Sequence, residues 1–332
     1  MKWNPKEDKI LLTKTKKPVF KTELLKMFPG RSWDSIDHHL RRLNSSFQIK
    51  DVIKEVDVMR DNPLREYIGK DKLVGRPIRL NYQVLEANRS GTAGKYATVK
   101  FFGDWHYGSR ECDKDKIKET AHFCLKEKMY AFLMGDLLEA ATRNSVGAGV
   151  YHQVMNPQQQ MEEVIEILRP LAKEGLVLGL LMGNHEFRIE KDTSINVSKV
   201  ICAMLGIPYL GMACWNLFKV GNQYYKIYTL HGASGSRFLH TKLKAVIDIS
   251  HSFSADLIAM GHVHELDTGT QLVQFVDLKD KAIKERKKHL LLTGHYLNYD
   301  RSYAQEKGFP IGKVGSPNVK FFSERHDLHI SI

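Results

Sequence analysis

Short apolar runs recur along the chain from about residue 96, and each run ends in glycine followed by polar residues. Runs of four to seven apolar residues bounded by glycine are typical of buried strands. Two intervening stretches, 115–128 and 157–173, place apolar residues on one side at helical spacing. Strands that alternate with helices predict an α/β layered domain over residues 96–332. The predicted strands are 97–102, 129–134, 176–182, 225–230 and 257–260.

The first 50 residues have a different pattern of apolar positions, which predicts three short helices. Thr22 begins the second predicted helix, Pro29-Gly30 ends it, and Ser32 begins the third. The apolar residues of the third helix recur at spacings of three and four and share one face: Trp33, Ile36, Leu40 and Leu43. The polar face of the same helix carries His38, Arg41 and Arg42. A turn before a basic third helix is typical of a helix-turn-helix domain.

This segment resembles the Myb/SANT-like helix-turn-helix family over roughly its first 45 residues. The residues that carry the resemblance are Trp3, Glu7-Asp8, Leu11, 28–32, Ile36 and 40–43. The resemblance implies a DNA-binding module over residues 1–50, with His38, Arg41 and Arg42 as its candidate contacts. The alternative is a small helical module that binds protein or its own catalytic domain.

Charge is concentrated in the same segment. The chain has 332 residues, and 50 lysines and arginines against 38 aspartates and glutamates give a formal charge of +12. Residues 1–50 hold nine lysines and three arginines against five acids, whereas residues 51–95 are nearly balanced. This distribution favours a polyanionic partner such as DNA. We interpret residues 51–95 as a connector with one strand near 78–84.

Composition excludes several classes of protein. A hydrophobic share of 42% and a charged share of 27% exclude wholesale disorder. No window approaches the roughly 18 apolar residues of a membrane span. The chain opens with charged residues rather than the apolar stretch of a secretory signal, and its four cysteines include no Cys-x-x-Cys pair. These features predict a cytoplasmic protein with no membrane partner.

The polar clusters at the predicted strand ends contain side chains that bind metals. Two carboxylates, one amide and four imidazoles occur there, at Asp104, His106, Asp136, Asn184, His231, His262 and His264. Such donors suit divalent manganese, iron or zinc. Seven ligands are too many for one ion, and they suit two ions roughly 3.5–4 Å apart that share a carboxylate. The two pairs spaced by two residues point the same way at a strand end, so each pair can converge on one site.

In chain order these clusters read Gly-Asp-x-His, Gly-Asp, Gly-Asn-His-Glu, a later histidine, and Gly-His-x-His. They resemble the calcineurin-like metallophosphoesterase superfamily over roughly residues 97–332. The resemblance implies an α/β fold in which four layers form an α/β/β/α sandwich. The expected architecture is therefore this sandwich, preceded by a small three-helix helix-turn-helix domain.

The resemblance also implies a role for each side chain. Asp104, His106 and His264 hold the first metal. Asn184, His231 and His262 hold the second. Asp136 bridges the two ions, which we expect to be manganese, with iron or zinc as alternatives. His185 is a catalytic residue that binds no metal and contacts the scissile phosphate or protonates the leaving oxygen. The implied reaction is hydrolysis of a phosphoester by water activated between two metals, with Glu186 either orienting His185 or capping the following helix.

The second cluster bears on the substrate. Ala140 fills the position of the arginine in the Asp-Arg-Gly of protein Ser/Thr phosphatases, which argues against that activity. The cluster is more similar to SbcD-type DNA nucleases, which carry an acidic residue after the aspartate; Glu139 falls near that position without matching it. With the basic N-terminal segment, this predicts a nuclease acting on DNA. The alternatives are a small-molecule or cyclic-nucleotide phosphodiesterase with a regulatory or localising N-terminal domain, and a DNA-binding regulator whose metal domain is a sensor or scaffold.

Other residues near the clusters are open to two interpretations. Arg143 and Arg188 are candidates for phosphate contacts or ordinary surface arginines. His240 and His295 line the cleft or belong to the surface and core. The aromatic residues near the clusters are candidates for stacking on bases, with core packing as the alternative for the first: Trp105, Tyr107 and Tyr151.

Overall fold

The computed structural model describes residues 7, 21–32, 35–36, 39, 80–92, 94–145, 149–233, 238–300, 302–308 and 310–332. By compactness the chain divides into two units, Met1–Pro77 and Ile78–Ile332. The second unit carries all seven predicted metal ligands. The functional division at residues 50 and 95 stays a prediction.

In the first unit, the described residues contain helix α1 (Lys21–Met27), which corresponds to the second predicted helix. The hydroxyl oxygen of Ser32 accepts a hydrogen bond from the backbone N–H of Ser35 at 3.3 Å, as at a helix start. Ile36, from the apolar face predicted for the third helix, is buried, as are Leu24 and Phe28. His38, Arg41 and Arg42 lie outside the described residues, so the helix-turn-helix domain and its DNA contacts stay predictions.

The described part of the second unit contains two β-sheets. The first sheet has the strand order β1 (Leu80–Leu85), β7 (Ala213–Val220), β8 (Gln223–Leu230), β9 (Leu257–Met260), β11 (Ala282–Thr293) and β10 (Leu266–Asp277). The second sheet has the order β13 (Leu328–Ser331), β12 (Asn318–Phe322), β3 (Gly94–Phe102), β4 (Tyr130–Leu133), β5 (Val177–Leu181) and β6 (Tyr209–Gly211), with β2 (Arg89–Gly91) paired to β3.

Parallel pairing decides where the strands end. Strands β3, β4, β5 and β6 are parallel to one another in the second sheet. In the first sheet, β8, β9 and β11 are also parallel. Because the carboxyl ends of parallel strands lie at one edge of a sheet, the polar residues that follow them gather at that edge.

Helices cover the outer face of each sheet. The helices are α2 (Lys114–Lys126), α3 (Gly149–His152), α4 (Pro157–Lys173), α5 (Asn184–Thr193), α6 (Val197–Leu205), α7 (Leu239–Ser250) and α8 (Tyr303–Glu306). Helix α6 packs on β5, β6 and α4, α4 packs on α2, and α7 packs on β9 and β11. Between the sheets, Phe321 of β12 contacts Phe218 of β7 and Tyr225 of β8, with ring centroids 5.7 and 5.0 Å apart. The predicted α/β/β/α sandwich is confirmed.

The helices and strands of the second unit lie close to the positions that the hydrophobic pattern of the sequence predicted. Helix α4 has the predicted bounds because Asn156 and Gln159 form a capping box and Pro157 occupies the first turn. Each of the five predicted strand positions contains a strand. The strand predicted near 78–84 is β1, at the edge of the first sheet, so the predicted connector contributes strands from residue 80 onward. Among the described residues, no helix is long and apolar enough to cross a membrane.

Candidate metal centre

All seven predicted ligands lie directly after strands that come from both sheets. In the second sheet they follow β3, β4 and β5, and in the first sheet they follow β8 and β9. In chain order they are Asp104, His106, Asp136, Asn184, His231, His262 and His264. The fold therefore brings to one place side chains that are far apart in sequence.

One group of donor atoms comes from the residues predicted to hold the first metal. The Nε2 atoms of His106 and His264 are 2.9 Å apart. The Nε2 atom of His264 is 3.6 Å from Oδ1 of Asp104. One donor atom from each of these three residues lies within 4.8 Å of the others, which is the spacing of ligands around a single cation.

A second group comes from the residues predicted to hold the second metal. Oδ1 of Asn184 lies 3.0 Å from Nε2 of His231 and 2.7 Å from Nδ1 of His262. Oδ2 of Asp136 is 3.2 Å from Nε2 of His231 and 3.9 Å from Nε2 of His106. Asp136 therefore touches both groups, which is the position expected of a bridging carboxylate.

The backbone at these ligands is unusual. Five of the seven adopt φ angles in the left-handed region: 50° at Asp104, 47° at His106, 47° at Asp136, 67° at His262 and 51° at His264. Residues other than glycine rarely adopt this conformation, and it persists where surrounding contacts hold it in place. The turns after β3, β4 and β9 therefore adopt an unfavourable backbone conformation that positions the candidate ligand side chains.

Two glycines allow the ligand turns to approach each other. A Cβ atom at Gly183 would lie 2.0 Å from Oδ1 of Asp136, and one at Gly261 would lie 2.8 Å from Oδ2 of Asp104. The following N–H groups use this space. His185 N donates to Oδ1 of Asp136 at 2.8 Å, and His262 N donates to Oδ1 of Asp104 at 2.9 Å. These bonds orient both carboxylates and explain why glycine precedes Asn184 and His262.

Glu186 connects two of these turns. Its buried carboxylate accepts three backbone hydrogen bonds at 3.0 Å, from Gly183 at the start of α5 and from Asp136 and Leu138 after β4. Of the two roles expected for Glu186, capping the helix is confirmed. The described structure contains no hydrogen bond between its side chain and the imidazole of His185, because the carboxylate faces the backbone instead.

Glu139 contacts two histidines of the centre, His106 and His185. Its Oε2 atom is 3.1 Å from Nδ1 of His106, and its carbonyl oxygen is 2.7 Å from Nδ1 of His185. A carboxylate on the distal nitrogen of a ligand histidine orients the ring and strengthens the metal-binding nitrogen. The sequence pattern relates Glu139 only to the acidic residue of SbcD-type nucleases. Its contact with His106 was not predicted, although Glu139 lies three residues after Asp136.

Burial and neighbouring charges shift the pKa values of several side chains in the centre. Burial raises the pKa of Asp104 to about 7. Burial also opposes ionisation of Asp136, but the nearby His231 and His185 outweigh it and lower its pKa well below the usual value. Burial opposes protonation of His231, yet the carboxylate of Asp136 outweighs it and raises the pKa of His231 to about 10. The pair holds a proton that a divalent cation would displace.

His185 lies beside the seven candidate ligands and makes hydrogen bonds through both ring nitrogens. Burial lowers its pKa to about 4, so its imidazole is neutral at pH 7. Nδ1 faces the carbonyl oxygen of Glu139, which can only accept, so Nδ1 carries the hydrogen. Nε2 accepts a hydrogen bond from Nη2 of Arg188 at 2.9 Å and lies 3.9 Å from Oδ2 of Asp136. One donor atom of His185 also lies within 4.8 Å of donor atoms of His106 and Glu139, so its role as a catalytic residue that binds no metal stays a prediction.

The aromatic candidates divide into buried and exposed residues. Trp105 is fully buried against Phe102, with ring centroids 4.4 Å apart, so core packing is confirmed for it. Tyr107 is also fully buried, and its hydroxyl donates to Glu163, so the prediction that it stacks on bases was wrong. Both follow the ligand Asp104 on a turn that faces the core. Tyr151 is 79% exposed, and its role stays a prediction.

The remaining polar candidates also separate. His295 stacks on His264 with ring centroids 5.4 Å apart, so it borders the centre. His240 is exposed and stacks on Phe238. Arg143 is exposed on the loop after β4, whereas Arg188 is half-buried and contacts His185.

A two-sheet sandwich with histidine, aspartate and asparagine side chains at its strand ends is the arrangement of metal-dependent phosphoesterases. The model of the calcineurin-like phosphoesterase family matches residues 97–307. The chain therefore belongs to this family, which supports metal-dependent hydrolysis of phosphoesters as its activity. Comparison with curated protein sequences gives no significant match.

Several solved structures are similar to this chain. Vps29 from Entamoeba histolytica, complexed with zinc, is 15% identical, with a TM-score of 0.34, and the match covers 70% of this chain and 97% of that one. A predicted phosphoesterase from Streptococcus pneumoniae is 12% identical, with a TM-score of 0.32 and coverage of 71% and 88%. A metallophosphoesterase from Sphaerobacter thermophilus is 11% identical, with a TM-score of 0.29 and coverage of 71% and 88%. Likenesses of this strength carry no argument about substrate.

Proposed function

We propose that this chain is a two-metal phosphoesterase that cleaves phosphodiester bonds in DNA. The observation that supports it most directly is the convergence of two donor groups on Asp136, whose Oδ2 faces His231 at 3.2 Å and His106 at 3.9 Å. Asp104, His106 and His264 would hold one ion, Asn184, His231 and His262 the other, and Asp136 both. This mixture of oxygen and imidazole donors fits manganese, our proposed metal, as well as iron or zinc.

When bound, two divalent cations activate water as the nucleophile and offset charge on the phosphate. The chain's own residues supply the geometry. Backbone N–H groups fix the carboxylates of Asp104 and Asp136 before any ligand arrives. Glu139 holds the ring of His106, and Glu186 holds the turns that carry Asp136 and Asn184. His185 stands beside Asp136, where we propose that it acts on the phosphate or the leaving oxygen.

DNA as substrate rests on the sequence of the first unit. Nine lysines and three arginines lie within residues 1–50, and the pattern of this segment resembles a Myb-like helix-turn-helix. A basic module joined to a phosphodiesterase centre would raise the local concentration of DNA at that centre. The likeness of the second cluster to SbcD-type nucleases points the same way. Four buried cysteines suit the reducing cytoplasm that we propose as the location.

A panel of substrates tests the chemistry. The manganese-loaded protein is incubated with single-stranded DNA, duplex DNA, RNA, a cyclic nucleotide and a chromogenic phosphodiester. We expect hydrolysis of DNA, abolished by Asp136→Asn and unaffected by Asp248→Asn, a matched change at an exposed aspartate. Cleavage of only the small substrates would replace the nuclease assignment with a small-molecule or cyclic-nucleotide phosphodiesterase. DNA binding without any hydrolysis would favour a DNA-binding regulator.

A second experiment tests the basic module. The double variant Arg41→Gln/Arg42→Gln should weaken DNA binding and reduce the slope of log affinity against log salt by about two, because each lost phosphate contact removes about one. The matched control, Lys116→Gln/Lys118→Gln, removes two exposed charges from α2. Equal effects of both double variants would show that the charge acts non-specifically and would remove the support for a DNA-binding helix.

A further inference from the structure

Arg188 lies on α5 and contacts His185 beside the candidate metal centre. Residues three and four apart lie on one face of a helix, so Arg188 shares a face with His185 and Asn184. Its Nη2 atom donates to Nε2 of His185 at 2.9 Å, and that Nε2 lies 3.9 Å from Oδ2 of Asp136. The guanidinium therefore lies beside the candidate metal centre, one residue away from its proposed bridging carboxylate.

The guanidinium of Arg188 differs from other arginines of the described structure in its ion pairing. Among the described residues, no carboxylate forms an ion pair with Arg188, whereas Arg89 pairs with Glu127 and Arg169 pairs with Glu166. Arg188 is half-buried, and the carboxylate of Glu139 lies close enough to interact with its charge without forming an ion pair. A guanidinium presents five N–H donors in a planar fork that matches a phosphate group. Such an arginine is suited to receive an anionic ligand.

Both ring nitrogens of His185 are engaged in hydrogen bonds in this arrangement. Its Nδ1–H is directed at the carbonyl oxygen of Glu139, and its Nε2 lone pair accepts from Arg188. A charged phosphate oxygen is a stronger acceptor for a guanidinium than a neutral imidazole nitrogen is. An arriving phosphate would thus draw the N–H of Arg188 away from Nε2 of His185.

We propose that Arg188 binds substrate, with its guanidinium leaving His185 to donate hydrogen bonds to a non-bridging oxygen of the scissile phosphate. This assignment rests on the proposed phosphoesterase function, and it adds a residue to which neither the family match nor the predicted ligand set gives a role. The exchange involves hydrogen bonds only, so no covalent bond forms or breaks at Arg188.

Binding of inorganic phosphate to the manganese-loaded protein, measured by calorimetry, tests the proposal without needing turnover. We expect Arg188→Gln to weaken phosphate binding about tenfold to hundredfold, because one or two charge-assisted hydrogen bonds are lost. Arg188→Lys, which keeps the charge but not the fork, should give an intermediate loss. Arg169→Gln is the matched control, since it removes a half-buried arginine of α4 that pairs with Glu166, and it should bind phosphate as the wild type does.

The possible results distinguish failure of the Arg188 assignment from failure of the proposed hydrolase activity. Unchanged phosphate affinity in Arg188→Gln at full metal content would overturn the proposal. Loss of bound metal from Arg188→Gln would also overturn it, because the arginine would then support the metal site rather than the substrate. If phosphate binding weakens as expected but the wild type hydrolyses no phosphoester, the assignment of Arg188 stands and the hydrolase proposal fails. If the wild type hydrolyses phosphoesters but Arg188→Gln binds phosphate with unaltered affinity, the hydrolase proposal stands and the assignment of Arg188 fails.

Discussion

Replacing Glu186 by glutamine changes one atom of a buried carboxylate that accepts three backbone hydrogen bonds. Oε2 accepts from Gly183 and Asp136, and Oε1 accepts from Leu138, each at 3.0 Å. Glutamine has a single acceptor oxygen, and its amide nitrogen only donates. In the best orientation, the glutamine oxygen replaces Oε2, and the amide then opposes the N–H of Leu138.

The expected loss follows from this geometry. A buried donor left without an acceptor costs about 1–3 kcal/mol, so Glu186→Gln should lower the free energy of unfolding by that amount. Glu186→Ala leaves all three donors without a partner and should lower it roughly three times as much. Both variants should also weaken metal binding, because the lost bonds hold the turn that carries Asp136 and the start of the helix that carries Asn184.

Urea unfolding of the metal-free protein measures the first effect, and elemental analysis after dialysis against manganese measures the second. The matched control is Glu119→Gln, which neutralises an exposed glutamate of α2 and should change stability by less than about 0.5 kcal/mol. If Glu186→Gln were as stable as this control and kept its full metal content, the bonds to Glu186 would not hold the centre, and the reasoning would be refuted.

Three further expectations concern single side chains. Glu139→Gln should lower manganese affinity about 10–100-fold in calorimetry, because the ring of His106 loses its carboxylate partner; affinity equal to that of Glu119→Gln would contradict this. His185→Ala should slow phosphodiester hydrolysis while elemental analysis finds unchanged metal, and loss of metal would make it a ligand instead. The hydrogen bond to Asp256 raises the pKa of His326 above 6.5, so the stability that this histidine contributes is complete below 6.5 and is lost as the pH rises through the higher folded value. The difference in urea stability between wild type and His326→Gln should therefore shrink with rising pH, and a constant difference would count against the ion pair.

The sequence predicted the fold and the convergence of the seven candidate ligands well, because both are encoded locally. Each buried strand is a short apolar run bounded by glycine, and each ligand follows such a run. Parallel pairing then brings these strand ends together without further information. The same local logic misjudged Tyr107, which follows His106 on the ligand turn yet points into the core. Spacing alone does not reveal that a turn with left-handed residues reverses the face on which the next side chain lies.

Contacts around the ligands were harder to foresee, because they depend on the relative position of turns from different strands. The hydrogen bond from Arg188 to His185 joins residues three apart along α5, a spacing that places both side chains on one face of a helix. The sequence indicates only part of the contacts of Glu186. Its bond to Gly183 is a local helix cap, whereas Asp136 and Leu138 lie on a turn after a different strand. Sequence reasoning therefore left capping and orientation of His185 as equal alternatives for Glu186.

These contacts bear on how the centre is held before metal arrives. Left-handed φ angles at Asp104 and Asp136 are unfavourable for non-glycine residues, so something other than local preference must maintain them. Backbone N–H groups of His262 and His185 bind the two carboxylates, and Glu186 binds the N–H of Asp136. The strained turns are therefore held by contacts within the sandwich, which bring the candidate ligands of different strands close together.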